Sequence, residues 1–274
     1  MSKRENLQFN AAAIAQEVHS LWRTGRQVDL FTRRYSNLEL PEAYEAAFAL
    51  RRLRERKGEH VIGRKLSFTN RLLWEKYNVQ APGWGYIYDT TCFELSSEGR
   101  TSFSLDGIQE PRIEPEIMLG FSSAPEPGMS DDQLLGCIGW VAHGFELVHS
   151  IFADWRFTGP DTIIGHALHA AVFLGPRHPI ESGWQQVLER FRVNLLRNGV
   201  RVAEGSGANV LGSPFLAVRD LVNNLGVDEA RPPLQAGEFV STGTLTDAMP
   251  VVAGETWETV LSGLALPGAK LTFT

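Results

Sequence analysis

Residues 1–60 show hydrophobic positions at helical spacing. Ile14, Val18 and Leu21 recur at intervals of four and three residues, which places them on one face of an α-helix. Pro41 predicts the first turn of a further helix, where its missing N–H leaves no hydrogen bond unmade. We interpret the basic segment RRLRERKGEH as the solvated end of that helix. These patterns predict a helical N-terminal region.

The pattern changes after residue 60 to short apolar and β-branched runs separated by glycine, proline and asparagine, which is typical of strands and turns. Asn198-Gly199 predicts a tight hairpin between two of these runs. Two helices interrupt the strands, one over residues 130–139 and one that begins with Ser213 as its N-cap. We therefore predict one β-rich body over residues 61–274.

One predicted strand, PRIEPEIMLGF at residues 111–121, carries two carboxylates in an otherwise apolar sequence. Alternate residues of a strand point to the same face, so Glu114 and Glu116 share a face and Pro115 points away. Because Pro115 has no N–H to donate, we expect this strand at an edge, a bulge or a mouth of the sheet. Two adjacent carboxylates repel each other, so we expect a cation beside them.

A third carboxylate, Glu146, lies in the apolar segment WVAHGFELVHSIF, where a free carboxylate would be costly to bury. Three oxygen ligands suit Mg²⁺ or Mn²⁺ and leave coordination positions open for water or substrate. In the alternative interpretation, Glu114 and Glu116 are solvated and Glu146 pairs with an arginine. A motif of two glutamates does not by itself distinguish these interpretations.

Composition narrows the class of protein. The chain has 274 residues, 43% of them hydrophobic and 21% charged, which is typical of a soluble globular enzyme. Its net charge of -6 and the absence of a basic stripe argue against a nucleic-acid partner. Two cysteines, Cys92 and Cys137, are too few for a thiolate zinc site. The polar N-terminus and the lack of a long apolar run predict a cytoplasmic protein without a membrane partner.

The segments GRKLSFT, YIYDT, PRIEPEIMLG, FELVHSIFADWRF and STGTL occur in an order that resembles the 2-keto-4-pentenoate hydratase family. That family also contains the 4-oxalocrotonate decarboxylases and belongs to the fumarylacetoacetate hydrolase superfamily. The resemblance covers roughly Val61 to the C-terminus. It implies an α+β fold in which a mixed, curved β-sheet roll follows a helical N-terminal region. It also implies a homo-oligomer.

Position by position, the resemblance implies a divalent metal, Mg²⁺ or Mn²⁺, held by Glu114, Glu116 and Glu146. It implies that Lys65 in GRK and Asp89 in YDT are the catalytic residues. A lysine close to such a metal, and partly desolvated, would have a lowered pKa and would move protons.

The same resemblance implies that Thr242 and Gly243 approach the substrate. A polar Asp-Asn-Ala-Ser run of the family is replaced here by GHAL, and His166 and His169 in this segment become candidates for substrate binding. A histidine in an apolar strand is nevertheless more often a core residue. Arg156 is a further candidate, as an anchor for a carboxylate.

The resemblance implies a lyase that hydrates 2-hydroxypenta-2,4-dienoate, a small 2-hydroxydienoic acid, to 4-hydroxy-2-oxopentanoate during the degradation of aromatic compounds. The metal would bind the substrate head, Lys65 would move protons, and Asp89 would assist the addition of water. Three alternatives are open: decarboxylation of a 2-oxo diacid, C–C hydrolysis of an acylpyruvate, and a non-catalytic partner of a related enzyme. A diacid would need a cation at the far end of the pocket, such as Arg156 or a protonated histidine.

Overall fold

The computed structural model describes residues 8–71, 74–77, 79, 81–96, 98–181 and 183–274. The helices are α1 (Ala11–Leu21), α2 (Phe31–Arg34), α3 (Leu40–Arg56), α4 (Trp74–Tyr77), α5 (Asp131–Cys137), α6 (Gly159–Ile164), α7 (Trp184–Arg190) and α8 (Pro214–Asn224). The strands are β1 (Val61–Ser67), β2 (Gly83–Tyr88), β3 (Cys92–Glu94), β4 (Arg100–Phe103), β5 (Arg112–Phe121), β6 (Ile138–Val148), β7 (His169–Leu174), β8 (His178–Pro179), β9 (Arg192–Arg197), β10 (Val200–Ser206), β11 (Phe239–Ser241), β12 (Met249–Pro250), β13 (Thr256–Ser262) and β14 (Lys270–Phe273). This arrangement confirms the predicted α+β class.

The N-terminal helices form where the apolar spacing predicts them. In α1, the side chains of Ile14, Val18 and Leu21 are buried, and Asn10 caps the helix by accepting a hydrogen bond from a backbone N–H. Pro41 lies in the first turn of α3, as expected. The buried faces of α1 and α3 pack in one apolar cluster with residues that follow β6.

The basic end of α3 is not simply solvated. Arg54 is 3% exposed, and its guanidinium pairs with Glu59 at 2.6 Å and lies 4.0 Å from the ring centre of Tyr88. The interpretation of a solvated helix end is therefore wrong for Arg54. Its charge is paired and its planar head is stacked, which makes burial of the guanidinium tolerable.

A nine-stranded mixed sheet forms the centre of the body, with strand order β2-β1-β11-β5-β6-β7-β3, while β12 pairs with β5 and β8 pairs with β6. The pairs β1–β11 and β3–β7 are parallel, and the remaining pairs are antiparallel. A second sheet has the order β10-β9-β13-β14-β4. The predicted hairpin joins β9 to β10, and positive φ angles at Asn198 and Gly199 give its turn the twist that a hairpin needs.

Strand β5 lies inside the larger sheet, between β11 and β6, so the edge, one of the three positions expected for this strand, is wrong. On one side of β5, β11 ends at Ser241 opposite Met118, and β12 starts to pair only at Ile113. Pro115 lies in the gap between these partners, where its carbonyl accepts a hydrogen bond from the N–H of Leu245 at 2.9 Å. The missing N–H of proline is tolerated because no ladder acceptor faces it there.

Within the described residues, none of the helices has the length and apolar character that crossing a bilayer requires.

Candidate metal centre and active-site cavity

The pairing of β5 with β6 brings three carboxylates together. Glu114 lies directly opposite Glu146 in the ladder, and Glu116 follows two residues later on the same face of β5. One oxygen from each of the three side chains lies within 4.8 Å of the others. Like charges that face each other in an antiparallel pair are destabilising, so this cluster calls for a cation.

The burial of these carboxylates is consistent with a bound metal ion. Glu116 and Glu146 are fully buried, and among the described residues Oε1 of Glu116 and Oε2 of Glu146 have no hydrogen-bond partner. Burial raises the pKa of Glu114 to about 7 and that of Glu116 well above its ordinary value, and repulsion from Glu146 adds to both shifts. A hard divalent cation would give the orphaned oxygens a partner, so these residues fit Mg²⁺ or Mn²⁺.

Glu116 is held in place by the last residue of β11 and the segment that follows it. The hydroxyl of Ser241 and the backbone N–H of Gly243 both donate to Oε2 of Glu116, at 2.6 and 2.9 Å. Gly243 has a φ of +106°, and a Cβ at this position would lie 1.9 Å from Oγ1 of Thr69. Glycine is therefore required for the backbone to approach Glu116.

Thr242 fixes the backbone beside Glu116 and is not exposed to the cavity. Its hydroxyl donates to the carbonyl of Ile117 at 2.9 Å, and its side chain is fully buried. The structure brings Thr242 and Gly243 to Glu116 and not to the wall of the cavity described below.

Glu146 is oriented by His169. Nδ1 of His169 lies 2.8 Å from Oε1 of Glu146, and Nε2 lies 2.9 Å from the hydroxyl of Thr91. Burial lowers the pKa of His169, which keeps the ring neutral near pH 7. A carboxylate only accepts hydrogen bonds, so Nδ1–H donates to Glu146 and Nε2 accepts from Thr91. His169 thus orients the Glu146 carboxylate through this hydrogen bond.

Lys65 extends from β1 to the same cluster. Its ammonium donates to the carbonyl of Ala167 at 3.0 Å and lies 3.3 Å from Oε2 of Glu146. Burial by itself would lower the pKa of Lys65, but attraction to Glu146, and then to Glu114 and Glu116, raises it above the ordinary value. The ammonium is therefore charged in this state and partly compensates the three carboxylates.

These groups open on a cavity of about 200 Å³. Lys65 and Glu114 form part of its wall, and Phe68, Trp155 and Phe157 form an aromatic part. A cavity of this size with a few convergent polar groups suits a small organic acid.

Arg112 also lines this cavity, although it is not among the site residues predicted from the sequence. Its guanidinium carbon lies 3.9 Å from the ring centre of Trp155, which holds the planar head in place. The alternation that pairs Glu114 with Glu116 could have identified Arg112, because it lies two residues before Glu114 in the same strand. Asp247 is a second lining residue that the sequence did not indicate.

Three of the predicted site residues, Asp89, Arg156 and His166, lie neither in the carboxylate cluster nor at the wall of the cavity. Asp89 accepts a hydrogen bond from the N–H of His60 at 3.0 Å and lines a separate surface depression. Arg156 is exposed. His166 is buried and lines a separate small pocket with Trp22, whose ring centre lies 6.0 Å away, and neither ring nitrogen has a hydrogen-bond partner among the described residues.

Three curated relatives span almost the whole chain. A 2-hydroxyhexa-2,4-dienoate hydratase from Comamonas testosteroni is 28% identical over 258 residues, which cover 94% of this chain and 96% of that protein. A 2-keto-4-pentenoate hydratase from Paraburkholderia xenovorans is 25% identical, with coverages of 91% and 90%. A 4-oxalocrotonate decarboxylase from Pseudomonas sp. (strain CF600) is 26% identical, with coverages of 94% and 95%. No family model matches the chain.

Solved structures show the same fold. A 4-oxalocrotonate decarboxylase from Pseudomonas putida G7, complexed with magnesium and adipate, has a TM-score of 0.87 at 23% identity and covers 96% of this chain and 97% of its own. A fumarylpyruvate hydrolase from Pseudomonas aeruginosa, in complex with Mn²⁺ and pyruvate, has a TM-score of 0.54 at 14% identity, with coverages of 78% and 89%.

Fold and relatives together indicate the class of protein. The fold resembles that of solved proteins of the fumarylacetoacetate hydrolase type, among them one from Oleispira antarctica. The curated relatives are 2-keto-4-pentenoate hydratases and 4-oxalocrotonate decarboxylases, which confirms the resemblance found in the sequence. The hydratases among them also bear out the predicted function and the predicted enzyme class, a hydro-lyase.

Proposed function

We propose that this protein is a divalent-metal-dependent hydratase that converts 2-hydroxypenta-2,4-dienoate to 4-hydroxy-2-oxopentanoate. The observation that carries the proposal is the cluster of three carboxylates beside Lys65 at the wall of a small cavity. Relatives named as hydratases support the reaction. Structural neighbours complexed with magnesium, calcium or Mn²⁺ support a divalent metal, for which we propose Mg²⁺ or Mn²⁺.

Glu114, Glu116 and Glu146 would hold the metal, each through one carboxylate oxygen. When bound, the metal supplies Lewis-acid stabilisation of the negative charge that develops on the 2-oxygen of the substrate. Ser241 and Gly243 keep Glu116 in place, and the aromatic part of the wall would contact the apolar carbon chain of the substrate.

The overall reaction adds one water and conserves all atoms. The proton of the 2-hydroxyl leaves, a proton enters at C5, hydroxide enters at C4, and the other proton of water enters at C3. Lys65 lines the cavity, so its ammonium can deliver and recover the protons of the carbon positions. Asp247 lines the same cavity and is our candidate for accepting the proton of the attacking water, a role for which Asp89 is poorly placed.

Decarboxylation of a 2-oxo diacid is the second candidate function, and one observation favours it. Arg112 provides the cation in the cavity that a second carboxylate would need, in place of the exposed Arg156. A structural neighbour is complexed with adipate, which is a diacid.

An NMR assay separates the two functions. The protein with Mg²⁺ is given 2-hydroxypenta-2,4-dienoate and, separately, 2-oxohex-3-enedioate, each with and without a chelator. Chelator-sensitive formation of 4-hydroxy-2-oxopentanoate supports the hydratase, and release of CO₂ from the diacid alone transfers the proposal to the decarboxylase. Absence of both products refutes both. Glu114→Gln should lose the activity, whereas Glu204→Gln, a change on the exposed strand β10, should keep it.

We also propose that the protein acts in the degradation of aromatic compounds and forms a homo-oligomer, as the relatives' family suggests. Light scattering on the eluate of a size-exclusion column tests the oligomer, and a single-chain mass of about 30.4 kDa would refute it.

A further inference from the structure

Three consecutive residues before β7 have a left-handed backbone. The φ angles of His166, Ala167 and Leu168 are 60°, 51° and 63°. Such angles are uncommon outside glycine, asparagine and aspartate, and a run of three in ordinary residues persists only where the surroundings enforce it. Strained segments of this kind concentrate at functional sites.

The turn meets Lys65 through one carbonyl. The oxygen of Ala167 accepts the hydrogen bond from Nζ of Lys65 at 3.0 Å and a second one from the hydroxyl of Ser67 at 3.3 Å. The other close oxygen, Oε2 of Glu146, is one of the two orphaned carboxylate oxygens that we assign to the metal. A bound metal would compete with the Lys65 ammonium for Oε2 of Glu146. It would not compete for the Ala167 carbonyl, so this contact would remain.

Gly85 provides the space that the turn occupies. It pairs with Lys65 between β2 and β1, and a Cβ at Gly85 would lie 2.7 Å from Cβ of Ala167 and 3.3 Å from the carbonyl oxygen of His166. Gly83, in the same strand, offers a matched comparison. A Cβ there would lie 2.7 Å from Cδ1 of Ile163, the end of a flexible side chain outside the turn.

We propose that the left-handed turn of residues 166–168, seated over Gly85, positions the Lys65 ammonium for proton transfer. Gly85 and Ala167 are positioning residues in this proposal, since they act through Lys65. The proton transfer rests on the proposed hydratase function, whereas the placement of the ammonium does not.

The test uses Gly85→Ala, the double variant with Ala167→Gly, and Gly83→Ala as control. The side-chain ¹⁵N resonance of Lys65, assigned with Lys65→Met in lysine-labelled protein, reports its placement without metal or substrate. We expect Gly85→Ala to shift this resonance and to lower kcat about 10- to 100-fold with little change in KM or in Mg²⁺ affinity. The double variant removes the methyl that collides and should restore both readouts, and Gly83→Ala should leave both near wild type.

An unchanged Lys65 resonance and kcat in folded Gly85→Ala would overturn the proposal, as would equal losses in Gly83→Ala. If Gly85→Ala does not fold, Ser67→Ala decides the matter, because it removes the second donor to the Ala167 carbonyl. That variant should shift the Lys65 resonance and lower kcat. If both stay unchanged, the proposal is contradicted. If the wild-type protein does not turn over the dienoate, the proposed function is refuted. The Lys65 ¹⁵N resonance would still test whether the turn places the ammonium.

Discussion

Addition of Mg²⁺ to the metal-free protein should release protons and stabilise the fold. The pKa of Glu114 is raised to about 7 and that of Glu116 lies well above its ordinary value, mainly because the surrounding protein desolvates the half-buried Glu114 and the fully buried Glu116. At pH 6 to 7 the cluster therefore holds protons that a metal must displace. The expected result is a proton release that is larger at pH 6 than at pH 8.

The sign of the pH dependence follows from the raised pKa values. The folded state binds these protons more tightly than the unfolded state, so their contribution to stability is complete below about pH 4.5 and is lost as pH rises through about 7. Mg²⁺ shows the opposite trend, because its affinity rises by up to about tenfold per pH unit for each proton displaced. At a metal concentration of about 100 Kd, the stabilisation is about 2.7 kcal/mol. For a chain of this size that corresponds to an increase in Tm of about 5–10 °C.

Titration calorimetry at pH 6, 7 and 8, in buffers that differ in ionisation heat, measures the protons released, and thermal unfolding measures the stabilisation. Glu116→Gln should lose most of the Mg²⁺ affinity, and Glu204→Gln on the exposed face of β10 should keep it. Mg²⁺ binding without proton release, or equal binding in Glu116→Gln, would refute the reasoning from the buried cluster.

Three further predictions concern single side chains. Lys65→Met should reduce turnover by about 10³-fold or more while calorimetry still detects Mg²⁺, and retained activity would exclude Lys65 as the proton carrier. Gly243→Ala should destabilise the fold by about 2–4 kcal/mol in denaturant unfolding, because its φ is +106° and the new Cβ would meet Thr69; a change under about 1 kcal/mol contradicts this. His169→Ala should weaken Mg²⁺ affinity about 10- to 100-fold, as measured by calorimetry, because Glu146 loses its orienting donor; unchanged affinity would contradict that role.

The carboxylate cluster was accessible from sequence because it depends on simple rules. Alternation along one strand places Glu114 and Glu116 on the same face, and the cost of burying Glu146 in an apolar segment indicates a shared compensating charge. The register that sets Glu146 opposite Glu114 depends on the pairing of β5 with β6, which alternation does not determine.

The residues that follow strand ends were not predictable in the same way. Asp89 comes directly after β2 in a short 3₁₀ turn, and Arg156 follows a turn in which Asp154 has a φ of 60°. Side-chain direction in such turns is set by individual backbone angles and not by a period. Arg112 obeys the period and lines the cavity, so the alternation that relates Glu114 to Glu116 would also have identified it.

Backbone strain gives an independent reason to locate the chemistry in this cavity. Phe68, Trp155 and Leu168 line it, and their φ angles are 57°, 54° and 63°, each with a cost of about 1–2 kcal/mol for an ordinary residue. Packing over-determines these angles: the indole N–H of Trp155 donates to the carbonyl of Glu110 at 3.0 Å, and Arg112 stacks on its ring. Sequences depart from local preference where function requires it. The strained residues shape the wall next to Lys65 and the carboxylates, which supports our proposal that the reaction takes place in this cavity.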